Sequence, residues 1–149
     1  MTRRTAIPYL PVRPIKYVPQ RRDDDCGIAC TAMLAGVSYA EARASIVDRR
    51  ALTLLTDSFE MRRGLATHGI RLGSEVRCAD WGRLLPIGRP LLLAVNYVEC
   101  RNSDWHWMAF DPSRPETPVH DPRDKAAKSI DRRTRLFSYF LLWRETVGV

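Results

Sequence analysis

The stretch that most constrains this chain is residues 20–35, QRRDDDCGIACTAMLA, where a polar loop passes three consecutive aspartates and turns at Cys26 into small and apolar residues. A run of that composition, closed by Gly36, predicts a helix over 26–35 that is buried on most of its faces. Asp25 is a natural N-cap, because a carboxylate there accepts from backbone N–H groups that lack partners in the first turn. Cys26 then stands in that first turn. The unpaired N–H groups and the positive end of the helix dipole favour a thiolate, so the thiol pKa is predicted to be lowered and the position suits a nucleophile.

A thiol nucleophile needs a base, and the base needs an acceptor that orients it. Residues 104–122, DWHWMAFDPSRPETPVHDP, supply both. His106 lies in a short aromatic and apolar run, 105–110, that reads as a strand; a break with three prolines follows, then 119–122. Two antiparallel neighbours joined by that break set His106 beside Asp121. Asp111 is the poorer partner, since five residues along one strand span about 16 Å at about 3.3 Å per residue. His120 is the weaker base, because it adjoins Asp121 and neighbours on a strand point to opposite faces. His106, Met108 and Phe110 share one face of their strand, predicted to look at the helix carrying Cys26, with Trp105, Trp107 and Ala109 on the other.

Gln20 followed by Asp25-Cys26-Gly27-Ile28-Ala29-Cys30, then His106-Trp107-Met108, then Asp121-Pro122, resembles the papain-like cysteine peptidases. The nearest branch is the one that removes double-glycine leaders from bacteriocin precursors, together with its stand-alone relatives. The likeness covers about residues 17–122 and rests on four short motifs in the expected order. It implies an α+β, papain-like fold with N-terminal helices packed on an antiparallel sheet. It also implies Cys26 as nucleophile, His106 as base, Asp121 as orienter, a place for the Gln20 side chain in the oxyanion hole, and a peptide or protein substrate. The chain departs from the transporter-linked members: it has no apolar run of membrane-spanning length and no GxxxxGK[ST] phosphate loop. The leader-peptide substrate of those relatives is therefore not carried over.

Three functional readings follow. The first is a peptidase. The second is a glutamine deamidase or related amide hydrolase, of the kind delivered into another cell, because the same three groups serve a side-chain amide. The third is a binding module with a relict site, docking a partner through its arginines.

At 149 residues the chain suits one domain with a real core, and 45% hydrophobic with 28% charged residues is the balance of an ordinary water-soluble protein. The net charge of +7 is nearly all arginine, spread along the chain in pairs such as Arg21-Arg22 and Arg62-Arg63. Such an excess attracts polyanions. Without a nucleic-acid motif or a basic helix interleaved with aromatics, however, the sequence favours a solvated surface over a nucleic-acid face. The aspartates before Cys26 oppose a thiolate, and offer an attraction for a positively charged substrate. Cys26, Cys30, Cys78 and Cys100 are even in number, but 1–14 contain no apolar core of signal-peptide length, so reduced thiols and a cytoplasmic location are expected. The spacing Cys26-x-x-x-Cys30 has no second pair to complete a zinc site. Neither a metal nor a cofactor is called for.

Residues 1–19, with prolines at 8, 11, 14 and 19, read as an arm, either loosely draped or laid along the domain toward the cleft; 20–149 read as one domain. Cys30, one turn past Cys26, is expected to pack in the core. Ser38 and Glu41 form a capping box for a helix reaching about residue 49, with Tyr39, Ala42, Ile46 and Val47 inward. A third helix is expected over 57–67, with Phe59, Met61 and Leu65 as apolar contacts and His68 at its C-terminal end as a cap. Residues 70–76 read as a short strand, 80–85 as a helical turn before Pro86, and 90–98 as a central buried strand that turns at 101–104 into 105–110. The run 123–128 reads as a charged loop. Residues 136–143 fit a last strand or a helix equally.

Overall fold

The computed structural model describes residues 9–47, 53–96 and 105–145, and its chain order is three helices followed by a sheet. Helix α1 spans Cys26–Ala35 and is buried from Cys26 through Leu34. A residue past its end must leave the helical path, and Gly36 does so at φ 67°, a region closed to most side chains, while its N–H bonds Ala32 O. Helix α2, Tyr39–Ile46, starts on the Ser38–Glu41 capping box and buries Tyr39, Ala42 and Ile46. It stops short of the predicted end, because Val47 is already extended at ψ 125°; residues 48–52 lie outside those described. Helix α3, Ser58–Thr67, is capped by a second reciprocal box between Asp57 and Glu60. Met61 and Leu65 face inward as expected, but Phe59 is 68% exposed and makes no core contact. His68 does sit at the C-cap, its Nε2 3.1 Å from Ser45 Oγ.

The sheet contains β1 (Ile70–Arg77), β2 (Leu91–Val95), β3 (His106–Phe110), β4 (Val119–His120) and β5 (Leu136–Arg144), all antiparallel, in the order β1-β5-β2-β3-β4. The segment left open between strand and helix is thus strand β5, inserted between β1 and β2. Its alternation of buried and half-buried residues matches a strand whose partners cover it on both edges. Between β1 and β2 a single 3₁₀ turn, Trp81–Arg83, runs into a short helix α4, Leu84–Ile87. Pro86 falls inside this helix rather than ending it, since the first turn needs no N–H from that position. Strand β2 ends at Val95, followed by Asn96 at φ 57°; the remainder of the predicted strand and the 101–104 turn lie outside the described residues.

Both faces of the sheet are covered. On one, Leu92, Ala94, Trp107, Ala109, Phe140 and Leu142 pack with Cys30, Met33 and Leu34 of α1 and with α3. On the other, Leu91, Leu93, Val95, Met108 and Phe110 pack with Trp81 and Leu84. Helix α1 is itself a middle layer, because Ile28 and Ala32 meet Tyr39, Ala42 and Ile46 of α2. The predicted face of β3 is therefore corrected: Trp107 and Ala109 lie toward α1, while Met108 and Phe110, whose face His106 shares by strand alternation, lie on the other side. With both sides of the strand buried, alternation carries no polarity signal to choose between them.

The described part of the arm lies against the sheet. Tyr9 bridges to Trp143, Leu10 N–H donates to Leu142 O, Ile15 N–H donates to Asp111 Oδ2 at 2.8 Å, and Gln20 N–H donates to Pro122 O at 2.9 Å. Among the described residues no helix is long and apolar enough to cross a membrane.

Candidate active site

Strand β4 lies antiparallel to β3, with Ala109 opposite His120. Continuing that register puts Asp121 on the face of the sheet that His106 occupies, and the two side chains meet: His106 Nε2 is 2.6 Å from Asp121 Oδ1. Both are nearly covered, His106 at 1% exposure and Asp121 at 6%. Asp121 has further support that the motif gave no hint of. Its Oδ1 accepts from Arg123 N–H at 3.0 Å, Lys128 Nζ stands 3.3 Å from Oδ2, and Tyr17 OH donates to its backbone carbonyl at 2.7 Å. Burial raises the Asp121 carboxyl, but the hydrogen bond and charge of His106, the Arg123 N–H and Lys128 outweigh it and hold the group at about 2, below its ordinary 3.8. The site aspartate is a carboxylate at any neutral pH. Lys128 reaches it because 121–127 form a closed loop, pinned by paired backbone bonds between Val119 and Lys128.

The other ring nitrogen, His106 Nδ1, is buried without a hydrogen-bond partner. Cys26 Sγ is bonded nearby, accepting from Trp107 N–H, the next residue of the strand, at 3.5 Å. The structure thus joins His106 to Asp121 directly and seats the sulfur against the neighbouring peptide group. The lowered thiol expected from the helix end is not observed. Burial pushes the Cys26 thiol up; the Trp107 N–H, the charge of Arg123 and the Gly27 N–H pull it down by less, and Asp25 adds to the rise. Cys30, directly beneath, is fully buried and raised further by burial and by Cys26. Cys26, Cys30 and Cys78 are free thiols, and Cys100 lies outside the described residues.

Asp25 does not cap α1 with its side chain. Its carboxylate, fully buried, turns back into the preceding loop to accept from Arg21 N–H at 2.9 Å and Arg22 N–H at 3.0 Å, and also accepts from Tyr39 OH of α2. Asp24 Oδ2 accepts from Leu54 N–H at 3.0 Å. Two of the three aspartates are therefore consumed in shaping the loop that delivers Cys26, and only Asp23 stays exposed beside them. Gln20 belongs to the same loop. Its Nε2 donates to Arg22 O at 2.5 Å, and its Oε1 is buried without a partner. One of its two amide hydrogens is thus engaged within the loop.

His120 is not positioned as a base. Its ring nitrogens lie 3.3 Å from Pro118 O and 3.3 Å from Ile15 O, under the arm. Asp111, set aside as a partner for the histidine, accepts from Ile15 N–H and from Ser113 instead. Among the described residues no group of three or more His, Cys, Asp or Glu side chains is arranged to hold a metal ion.

No family model matches the sequence, and no curated protein matches it either. Solved structures do. A double-glycine motif protease from an AMS/PCAT transporter, determined in complex with the leader peptide, aligns over 92% of this chain and 94% of its own at 13% identity, with a TM-score of 0.61. The peptidase domain of Streptococcus ComA, a bi-functional ABC transporter involved in a quorum-sensing pathway, aligns over 89% of this chain and 100% of its own at 17% identity and a TM-score of 0.63. The α+β fold of this chain is that of these peptidase domains.

Proposed function

We propose that the chain is a cysteine peptidase that hydrolyses a peptide bond with Cys26 as nucleophile, His106 as base and Asp121 as orienter. The observation that carries this reading is the bond from His106 Nε2 to Asp121 Oδ1 at 2.6 Å, which leaves Nδ1 as the basic nitrogen and buries it without a partner. In this mechanism Cys26 Sγ leaves the Trp107 N–H, its resting contact, and the thiol proton passes to that nitrogen. The sulfur then bonds to the substrate carbonyl carbon, and the carbonyl electron pair moves to oxygen. That oxyanion sits at the start of α1, where the Cys26 N–H and the second amide hydrogen of Gln20 are the available donors, each a type of contact contributing roughly 3 kcal/mol. Collapse breaks the C–N bond, and the leaving nitrogen takes the proton from His106. Water, deprotonated by the same histidine, attacks the thioester and releases the acid with the thiol restored. Asp121, ionised throughout, fixes the ring and offsets its positive charge.

A peptide as substrate is supported by the leader peptide bound to the structural neighbour. The test is incubation with a diverse peptide mixture, with new termini read by mass spectrometry. New N-termini should form, and C26A and H106A should each lose at least about a thousandfold in rate. Ammonia without chain scission would assign a side-chain amide hydrolase instead, and the absence of both products with a thiol that reacts no faster than Cys78 would leave only a binding module.

A further inference from the structure

Cys26 and His106 are almost covered, so a substrate must reach them along a wall of the site. One of the cavities near the site lies beside the first turn of α1. It measures about 500 Å³, and its lining includes Thr56, Asp57, Glu60, Glu75, Trp105 and Trp107, together with Arg77 and Phe137. Two of its residues touch the nucleophile's own surroundings. Trp107 gives its backbone N–H to Cys26 Sγ and its indole Nε1–H to Thr56 O at 3.0 Å. Thr56 presses on Gly27 so closely that a Cβ there would come within 1.9 Å of Thr56 Oγ1. That hydroxyl, on a residue 3% exposed, has no hydrogen-bond partner and is turned toward Gly27, so Thr56 joins the cavity wall to the first turn of α1.

The charge of the cavity runs against the charge of the molecule. In a chain of net charge +7 it gathers three carboxylates and one guanidinium. Arg77 is already committed, its Nε 3.2 Å from Glu75 Oε1 and its guanidinium carbon 3.8 Å from the centre of the Phe137 ring. Asp57 and Glu60 have no ion-pair partner among the described residues, and bond only to each other's backbone N–H at the start of α3. The same lining holds two indoles in edge contact, their centroids 4.6 Å apart; Trp107 is 1% exposed, so the partly exposed Trp105 is the one that offers a ring face. Carboxylates together with an aromatic face are the surroundings that attract a guanidinium or ammonium group.

Resting on the peptidase reading, we propose that this cavity receives a basic side chain, arginine or lysine, carried by one of the two residues before the attacked carbonyl. The test measures alkylation of Cys26 by mass spectrometry, using peptidyl chloromethyl ketones with arginine, lysine, citrulline, leucine or glycine at either of those two positions. Arginine or lysine at one position should label Cys26 about tenfold faster than citrulline, which keeps the shape and removes the charge. D57N/E60Q, which keeps the helix-capping geometry, should abolish most of that preference while leaving the iodoacetamide rate of Cys26 unchanged. Equal rates for arginine, citrulline and leucine would overturn the cavity assignment and leave the peptidase reading standing. A failure of every ketone to label Cys26, with iodoacetamide still reacting, would overturn both.

Discussion

Cys26 is where helix electrostatics and burial oppose each other, and burial wins. The first turn of α1 does offer the sulfur N–H groups, as the sequence leads one to expect, but the residue is only 5% exposed and its thiol is pushed above its ordinary 9.0. Sequence position reports the helix end; it does not report how deep that end lies, and desolvation depends on depth. Arg123, which is exposed and lies outside every motif, is the charged side chain that most lowers the thiol. Replacing it by glutamine removes a cause of lowering, so the Cys26 thiol rises further and its iodoacetamide labelling profile moves to higher pH. At pH 8 the rate should fall by up to about fivefold, the limit for an exposed charge contributing about 1 kcal/mol. Labelling of Cys78 serves as the control and should not change. The Arg123 backbone N–H that supports Asp121 survives the substitution, so the Asp121 carboxylate stays in place. An unmoved profile would mean that this guanidinium does not reach the sulfur.

At the scale of the element, α1 depends on close approach as much as on apolar character. Gly27 faces Thr56, the residue that also accepts from the Trp107 indole, so the second residue of the helix is small because a neighbouring chain segment occupies the space of its side chain. Gly27→Ala should cost about 1–3 kcal/mol in denaturant unfolding, the usual range for an overpacked site. Thr56→Ala in the same chain should recover part of that loss by removing Oγ1, with Met61 Sδ, at 2.9 Å, limiting the rest. A Gly27→Ala protein as stable as the parent would show that α1 can shift away from Thr56. Local signals marked α1, α2 and α3, among them small apolar residues, the Ser38–Glu41 capping box and a closing glycine, while the second box, between Asp57 and Glu60, went unread. The strands were less legible. Residues 136–143 read equally as helix or strand, since what decides is pairing with β1 and β2 from distant parts of the chain. Asp25 read as a cap because the competing donors, Arg21 N–H, Arg22 N–H and Tyr39 OH, depend on a loop path that local sequence does not state.

Across the whole molecule, Asp121 ties together segments far apart in sequence. Its side chain holds His106 and Lys128, its carbonyl accepts from Tyr17 of the arm, and the carbonyl of the next residue accepts from Gln20 N–H. The motif pairing of His106 with Asp121 was readable from residue types and strand parity; the arm and Lys128 were not, because a proline-rich segment and a charged loop carry no periodicity. This convergence has a consequence for acid stability. The Asp121 carboxyl falls from an ordinary 3.8 to about 2 in the folded chain, so the unfolded chain binds the proton more readily. The contribution is fully present above about pH 4 and is lost as pH falls from there through about 2. Asp121→Asn keeps the shape but lacks this term. Its thermal midpoint should lie below that of the parent at pH 7, and the gap should close as pH is lowered from 4 toward 2, both midpoints falling meanwhile as protonation adds to a net charge already at +7. Thermal melts of both proteins at half-unit steps would check this. A gap that stays constant to pH 2 would mean that the Asp121 charge does not stabilise the fold, and that its partners hold the site by packing alone.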